Sequence, residues 1–247
     1  MEALLSNPAA KIPFLVVNLI LARRSSLPPT LPPKQGEKDG YEADAKTRDV
    51  VKDWASWYTP TRRRTMHVIT FIEILILLSR RYPTLLSNSP LSILKPLLSS
   101  RYLNHIRVTP TFLLGSLLLY VGTFIRVACY RTMGRHFTFQ LAILPQHKLI
   151  TSGPYAIVRH PGYTASVLVN LGVILCQVGH GSWMREVVMR TRWGKGVGVG
   201  WVCAVSAVSY MLVARIPKED TVLRREFGAE WEKWAERTRF RLIPGIY

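Results

Sequence analysis

The 247-residue chain is predicted to be an all-α protein, a polytopic bundle of transmembrane helices. Hydrophobic residues make up 48% of the sequence, and they gather into blocks that contain few charges. Lys and Arg flank these blocks rather than interrupting them. Only structures that satisfy their own backbone hydrogen bonds are stable in lipid, so apolar blocks of this length favour helices that cross a bilayer.

Three of the apolar blocks are long enough to cross a bilayer if the Arg residues at their ends extend to the interface. These blocks are Val108–Phe124, Tyr163–Val178 and Val197–Ala214. Two shorter blocks, Ile12–Leu21 and Met66–Ser79, bring the predicted number of spans to about five.

The polar and amphipathic segments between and after these blocks differ in kind. Leu91–Ser99 contains Pro96, which favours a re-entrant or interfacial helix. Ser25–Thr61 is rich in proline and mixed charge, so we expect a solvated loop there with no chemistry. Ile216–Leu242 places apolar residues every three to four positions, which predicts an amphipathic helix with a possible break at Gly228 and an end at Pro244.

The net charge of +18 fits three kinds of partner. Nucleic acid is disfavoured because the basic residues do not line one polar face, whereas an anionic membrane surface is favoured and an acidic substrate stays possible. With five spans, one side of the membrane holds 23 Lys and Arg and the other holds 10. The richer side, with the C-terminus, is predicted to be cytosolic, although the four basic residues within Arg185–Lys195 argue in the opposite direction.

The densest polar motif runs from Thr151 to Tyr163. Gly153-Pro154 predicts a turn, and His160-Pro161 places proline in the first turn of the following helix. The free N–H groups of such a helix start suit a carboxylate, including that of an amino-acid-like cofactor. The alternative is a helix start whose Arg and Tyr are only interfacial anchors.

A second constellation, formed by Arg215, Glu219 and Asp220, follows the last span. Arg215 and Glu219 are four residues apart, and Pro217 marks a new helix start. An Arg here can hold a substrate carboxylate through two hydrogen bonds, and Glu219 can accept from hydroxyl or ammonium groups. The alternative is a surface ion pair beside a snorkelling Arg.

Several other features are interpreted as structural. The string of Gly194, Gly196, Gly198 and Gly200 has no preceding strand, so it favours close helix packing over a nucleotide loop. Glu73, inside an apolar block, favours an interhelical bond. Neither a metal centre nor a disulfide is expected, because the histidines His105, His136 and His180 are scattered, while Cys129, Cys176 and Cys203 suit small buried apolar positions.

The order of these motifs resembles that of the isoprenylcysteine carboxyl methyltransferase family over residues 108–247. The resemblance rests on Gly122–Arg126, Gly134 and Phe137, then Gly153-Pro154-Tyr155-x-x-Val158-Arg159-His160-Pro161-x-Tyr163, then Arg215-x-x-x-Glu219-Asp220-x-x-Leu223-x-x-x-Phe227-Gly228. A wider group that includes phospholipid N-methyltransferases shares the Arg-His-Pro-x-Tyr and Glu elements. Residues 1–107 would then be N-terminal membrane segments, and 108–247 the methyltransferase membrane domain.

The resemblance implies an S-adenosylmethionine pocket between the last spans, closed by the C-terminal segment. It assigns cofactor contacts to Gln140, His147, Lys148, Leu149, Ile150, Tyr155, His160, Pro161, Gly162, Tyr163 and Glu219. Arg215 would orient the substrate carboxylate. Pro217 and Lys218 depart from the acidic run of the family, which bears on the pose of Glu219.

The implied reaction is methylation of the C-terminal carboxylate of a prenylated cysteine, either free or on a CaaX-processed protein. The implied setting is the endoplasmic reticulum membrane, with lipid as a further partner and the active site facing the cytosol. A carboxylate needs no base to attack a sulfonium methyl group, so in-line positioning and exclusion of water suffice. Two alternatives remain: a methyltransferase for phospholipid or another lipophilic small molecule, and a non-enzymatic basic membrane protein that binds anionic lipid.

Overall fold

The computed structural model describes residues 7–27, 50–82, 101–134 and 148–247, and these contain helices and no strand. The all-α prediction is therefore confirmed for this part of the chain. The α-helices are α1 (Lys11–Ser26), α2 (Val50–Arg81), α3 (Pro110–Met133), α4 (Pro161–Val178), α5 (Trp183–Glu186), α6 (Arg192–Ala214), α7 (Ile216–Phe227) and α8 (Ala229–Arg237). Short 3-10 helices lie at Pro8–Ala10, Arg101–His105, Gly153–Ala156 and Val188–Arg190.

Within the described ranges, three stretches are long and apolar enough to cross a membrane by length and composition: Pro110–Met133, Pro161–Val178 and Arg192–Phe227. They correspond to the three longer predicted blocks. The two shorter blocks are helical but do not join this set, because α1 has only 16 residues and α2 carries charges along much of its 32 residues. The predicted count of about five spans is thus not confirmed, and Leu91–Ser99 lies outside the described residues.

Two predicted boundaries are wrong. The polar segment expected over 25–61 becomes helical at Val50, where α2 begins, and both Tyr58 and Arg62 on this part of α2 are buried. The helix continues on the N-terminal side of its apolar block, Met66–Ser79, where Tyr58 and Arg62 are buried. The composition of this polar segment did not indicate a helix with a buried face. The C-terminal amphipathic segment breaks at Gly228 as predicted (φ +50°), but its last helix ends at Arg237, well before Pro244.

The chain divides into two compact units, of which the first comprises residues 1–23, 61–120 and 169–207. Its apolar core surrounds a buried ion pair in which Lys11 Nζ lies 2.6 Å from Glu73 Oε1, with side chains 0% and 2% exposed. Lys11 also donates to the carbonyl of Gly181, and the backbone N–H of Trp183 donates to Glu73. The predicted interhelical role of Glu73 is confirmed.

The glycines at the start of α6 pack within this unit as the sequence predicted, but only at two positions. A Cβ at Gly194 would overlap the carbonyl oxygen of Val188, and one at Gly198 would lie 2.7 Å from the sulfur of Met189. Gly196 and Gly200 have no such neighbour. Cys129 and Cys176 are buried as predicted, whereas Cys203 is exposed, so its predicted buried role is wrong.

The second unit comprises residues 24–60, 121–168 and 208–247. Its described core is an aromatic cluster of Tyr130, Tyr155, Trp231 and Trp234 with Cys129. Leu149 and Ile150 pack against this cluster. All the predicted site residues that the structure describes belong to this unit.

Candidate functional site

The site begins with the two helix starts that the sequence predicted. Pro161 is the first residue of α4, and a 3-10 turn over Gly153–Ala156 precedes it. Gly153 has φ +60°, and a Cβ there would lie 2.9 Å from the Thr132 hydroxyl, so glycine is required on both counts. Ile216 begins α7, with Pro217 in its first turn and Arg215 at the N-cap position.

These two helix starts meet through one short hydrogen bond. The Tyr163 hydroxyl, in the first turn of α4, donates to Glu219 Oε2 at 2.5 Å. The backbone N–H of Glu219 donates to the Arg215 carbonyl, which places these two residues one turn apart. Arg215 is buried.

His160 connects the same two helices. Its ring stacks on that of Tyr163, with centroids 5.6 Å apart and planes inclined by 6°. Nε2 lies 2.9 Å from Asp220 Oδ1, and Nδ1 lies 4.0 Å from Glu219 Oε1. His160 is therefore held between the two adjacent carboxylates of α7 and the ring of Tyr163.

Asp220 is a functional candidate to which the sequence assigned no role of its own. Its Oδ2 lies 3.3 Å from Arg241 Nε and 3.6 Å from Arg159 Nη1, and its side chain is buried. The only sequence signal was its position beside Glu219, because its partners lie 61 residues before and 21 residues after it in the chain.

Residues 238–242, which we call the C-terminal strap, lie across the start of α4. The N–H groups of Arg159 and His160 donate to the carbonyls of Phe240 and Arg241, at 2.9 and 2.8 Å. The Thr164 hydroxyl donates to the carbonyl of Leu242. The first two bonds use backbone N–H groups of the residues just before α4, which have no intrahelical partner.

Arg126, in α3, is a second candidate for which the sequence predicted no role. Its Nη1 donates to the carbonyl of Gly162, and its Nε donates to the Tyr130 hydroxyl. A Cβ on Gly162 would lie 3.3 Å from Arg126 Nη1, so a small residue at 162 lets the guanidinium approach. The sequence signal was its position in the run Gly122–Arg126 on which the family resemblance partly rests, two residues beyond the predicted span Val108–Phe124.

Tyr155 belongs to the aromatic cluster of this unit. Trp234 Nε1 donates to the Tyr155 carbonyl, and the Tyr155 hydroxyl contacts the sulfur of Met133. Burial raises the pKa of the Tyr155 phenol, so this hydroxyl stays neutral. The indole N–H of Trp231 is buried with no hydrogen-bond partner among the residues that the structure describes, and the Arg159 guanidinium lies over the ring.

The structure thus brings together most of the residues that the sequence singled out. Tyr155, His160, Pro161, Gly162, Tyr163, Arg215 and Glu219 all belong to the second unit. In the same unit, Leu149 and Ile150 are partly buried against the aromatic cluster, while Lys148 is exposed. Gln140 and His147 lie outside the described residues. Within the described ranges no group of three or more His, Cys, Asp or Glu could hold a metal ion.

Comparison with known proteins finds relatives for the central part of the chain. Residues 114–190 match the family model of the isoprenylcysteine carboxyl methyltransferase (ICMT) family. A probable protein-S-isoprenylcysteine O-methyltransferase of Oryza sativa subsp. indica is 31% identical over 131 residues, which is 50% of this chain and 56% of that protein. Protein-S-isoprenylcysteine O-methyltransferase B of Arabidopsis thaliana is 27% identical over 133 residues, 50% of this chain and 54% of that protein.

A more distant similarity reaches a different class of enzyme. A Delta(14)-sterol reductase of Septoria lycopersici is 25% identical over 108 residues, 40% of this chain and 21% of that protein. The chain spans little more than half the length of the curated methyltransferases it matches. No solved structure matches.

Proposed function

We propose that the chain belongs to the isoprenylcysteine carboxyl methyltransferase family, whose model matches residues 114–190, and that it methylates the C-terminal carboxylate of a prenylated cysteine, with S-adenosylmethionine as the methyl donor. The observation that carries the proposal is the contact between Tyr163 and Glu219. It joins the two motifs on which the resemblance depends, and it does so beside the buried guanidinium of Arg215.

The side chains present fit an amino-acid-like cofactor. Glu219 is 24% exposed, so one carboxylate edge stays open to accept hydrogen bonds from an ammonium or hydroxyl group. The buried indole N–H of Trp231 is a donor with no partner in the described part of the chain, and it belongs to the cluster that Leu149 and Ile150 line. An unpaired buried donor costs free energy, which an acceptor on a bound cofactor would offset.

Bound S-adenosylmethionine would supply an electrophilic methyl group, and the protein's residues would do the rest. Arg215 would hold the acceptor carboxylate through its planar pair of N–H groups. The carboxylate oxygen would form the new C–O bond as the methyl–sulfur bond breaks, with no proton to remove. The C-terminal strap would exclude water from the start of α4, where Arg159 and His160 already donate to it.

The same reasoning favours a carboxylate over an amine acceptor. A phospholipid amine would need a base to remove its proton, whereas a carboxylate needs only a cation to orient it. A buried Arg one turn from Glu219 suits the carboxylate. A prenyl chain would enter from lipid between helices, which favours a membrane location. From the resemblance, we further propose that this membrane is the endoplasmic reticulum and that the site faces the cytosol. Its partner would be a prenylated CaaX-processed protein.

A methyl-transfer assay on membranes tests the proposal directly. The full chain would be incubated with radiolabelled S-adenosylmethionine and either a farnesylated cysteine or phosphatidylethanolamine. We expect a base-labile labelled ester with the prenylcysteine and little transfer to the amine. Transfer to phosphatidylethanolamine alone would support the phospholipid alternative. Binding to anionic vesicles without transfer or saturable cofactor binding would support the non-enzymatic one.

A further inference from the structure

We propose that Asp220 is a positioning residue for this site, since its carboxylate ties His160 and the C-terminal strap to α7. The inference rests on the proposed function only for its effect on the cofactor. Through Asp220, the ring of His160 is fixed against Tyr163 with Nδ1 turned toward Glu219. The pose of Glu219, the proposed cofactor ligand, then depends on a neighbour that is not among the predicted cofactor contacts.

The two oxygens of Asp220 serve different segments of the chain. Oδ1 lies 2.9 Å from His160 Nε2, in the segment that begins α4. Oδ2 lies 3.3 Å from Arg241 Nε in the strap and 3.6 Å from Arg159 Nη1. One carboxylate therefore connects three segments separated by 60 and 21 residues in the sequence.

Burial makes these contacts strong enough to matter. Asp220 and His160 are only 6% and 5% exposed, so their mutual attraction is weakly screened by solvent. A buried carboxylate is tolerated only when cations or hydrogen-bond donors compensate its charge. His160 forms a hydrogen bond with Oδ1. Arg159 and Arg241 lie close enough to Oδ2 to offset its charge, although Oδ2 has no hydrogen-bond partner among the described residues.

The backbone reports the same coupling independently of the side chains. The backbone N–H groups of Arg159 and His160 donate to the strap, at the carbonyls of Phe240 and Arg241. The residues whose side chains face Asp220 therefore also form the backbone hydrogen bonds to the strap. Loss of the Asp220 charge would weaken both the side-chain contacts and these backbone hydrogen bonds. Asn at this position keeps the shape but loses the charge that balances Arg159 and Arg241.

The test compares Asp220→Asn with Asp220→Glu and with Glu226→Gln, a matched control on the exposed face of the same helix. The full chain in nanodiscs would be titrated with S-adenosylhomocysteine, and KM would be measured for the methyl donor and the prenylcysteine separately. For Asp220→Asn we expect the dissociation constant and the donor KM to rise about ten- to a hundred-fold, the range for a charged hydrogen bond. The acceptor KM should change less than about three-fold.

The conservative and control variants sharpen the test. Asp220→Glu should recover part of the lost affinity because it restores the charge, and Glu226→Gln should match the wild type. A purely structural role predicts instead that both KM values rise together. Equal changes in the two KM values, or unchanged binding in Asp220→Asn, would overturn the proposal.

Hydrogen exchange gives a readout that needs no cofactor. The amides of Arg159 and His160 should exchange faster in Asp220→Asn and in Arg241→Gln, which removes the ion pair between the strap and Asp220 together with the contacts of Arg241 with Tyr247. Arg241 is 34% exposed, so this second variant removes a half-open contact and stays testable even if Asp220→Asn does not fold. Unchanged exchange in both variants would refute the coupling. Failure of the wild type to bind S-adenosylhomocysteine would instead refute the proposed function and leave this measurement valid.

Discussion

Replacement of Arg215 separates the carboxylate-orienting role from a merely structural one. Arg215→Lys keeps the positive charge but loses the planar pair of N–H groups that matches a carboxylate. Arg215→Ala removes both. If Arg215 holds the acceptor, both variants should lower kcat/KM for a prenylcysteine, with little change in the affinity for S-adenosylmethionine.

The magnitude follows from the burial of Arg215, which is 7% exposed. A hydrogen bond to a charged group contributes about 1.5–3 kcal/mol, and one decade in rate corresponds to about 1.4 kcal/mol. The Lys variant should therefore lose about 10- to 150-fold in kcat/KM, and the Ala variant should lose more. In an exposed ion pair the same loss would be under about 1 kcal/mol.

Arg224→Gln is the matched control. Arg224 belongs to α7, which Arg215 caps, but it is 64% exposed and pairs with Glu232 at the surface. We expect its kcat/KM to stay within about five-fold of the wild type. Single-turnover methyl transfer with saturating donor would measure all three variants. Near-normal turnover by Arg215→Ala would refute the carboxylate-holding role and make an amine acceptor the better interpretation.

Three further predictions concern stability and use thermal or denaturant unfolding in detergent. Lys11→Met or Glu73→Gln alone should lower the free energy of unfolding by about 3–5 kcal/mol, because each leaves a buried charged group without its partner. The double variant should lose less than the sum of the two single losses. Gly194→Ala should destabilise by about 1–3 kcal/mol through overlap with backbone, while Gly196→Ala, which has open space, should be neutral or slightly stabilising. Burial opposes ionisation of Glu186, but hydrogen bonds from a backbone N–H and a nearby arginine lower its pKa below 4.5. The contribution of Glu186 to the free energy of unfolding should therefore be present above pH 4.5 and decline as pH falls through the lowered pKa. This pH-dependent contribution should be absent in Glu186→Gln. The argument for Lys11 and Glu73 would be contradicted if the losses of the two single variants added up in the double variant. The argument for the glycines would be contradicted by equal losses at Gly194 and Gly196. The argument for Glu186 would be contradicted if the wild type and Glu186→Gln were equally sensitive to acid.

Features fixed by short-range rules were predictable from the sequence. Pro161 and Pro217 mark helix starts because proline lacks the N–H that the first turn leaves unpaired, and Gly228 breaks a helix at a positive φ. The apolar blocks of α3, α4 and α6 were equally clear, because their length and hydropathy suffice to cross a bilayer.

Features that depend on contacts distant in sequence were not predictable. Nothing local indicated that Asp220 would meet Arg241, or that Arg126 would donate to the carbonyl of Gly162, because charge pairing has no sequence period. The start of α2 at Val50 was not predicted for a related reason. Its first turns are polar in sequence, and only the structure shows that Tyr58 is buried on one face of this helix. The cofactor contacts assigned by resemblance remain predictions at every position.

Two polar clusters in the described part of the chain, one at Lys11 and Glu73 and one at Glu219, differ in how far the protein encloses them. An ionisable residue in an apolar segment is by default a functional candidate. Lys11 and Glu73 are almost fully enclosed and directed at each other and at fixed backbone groups, so a ligand has no entry and the pair is structural. Glu219 shares its carboxylate with Tyr163 but remains 24% exposed, and the buried guanidinium of Arg215 lies one turn away. A carboxylate that is fixed by one hydrogen bond and still partly exposed suits the binding of a charged ligand, which supports our proposal that the Glu219 cluster, and not the Lys11–Glu73 pair, carries the chemistry.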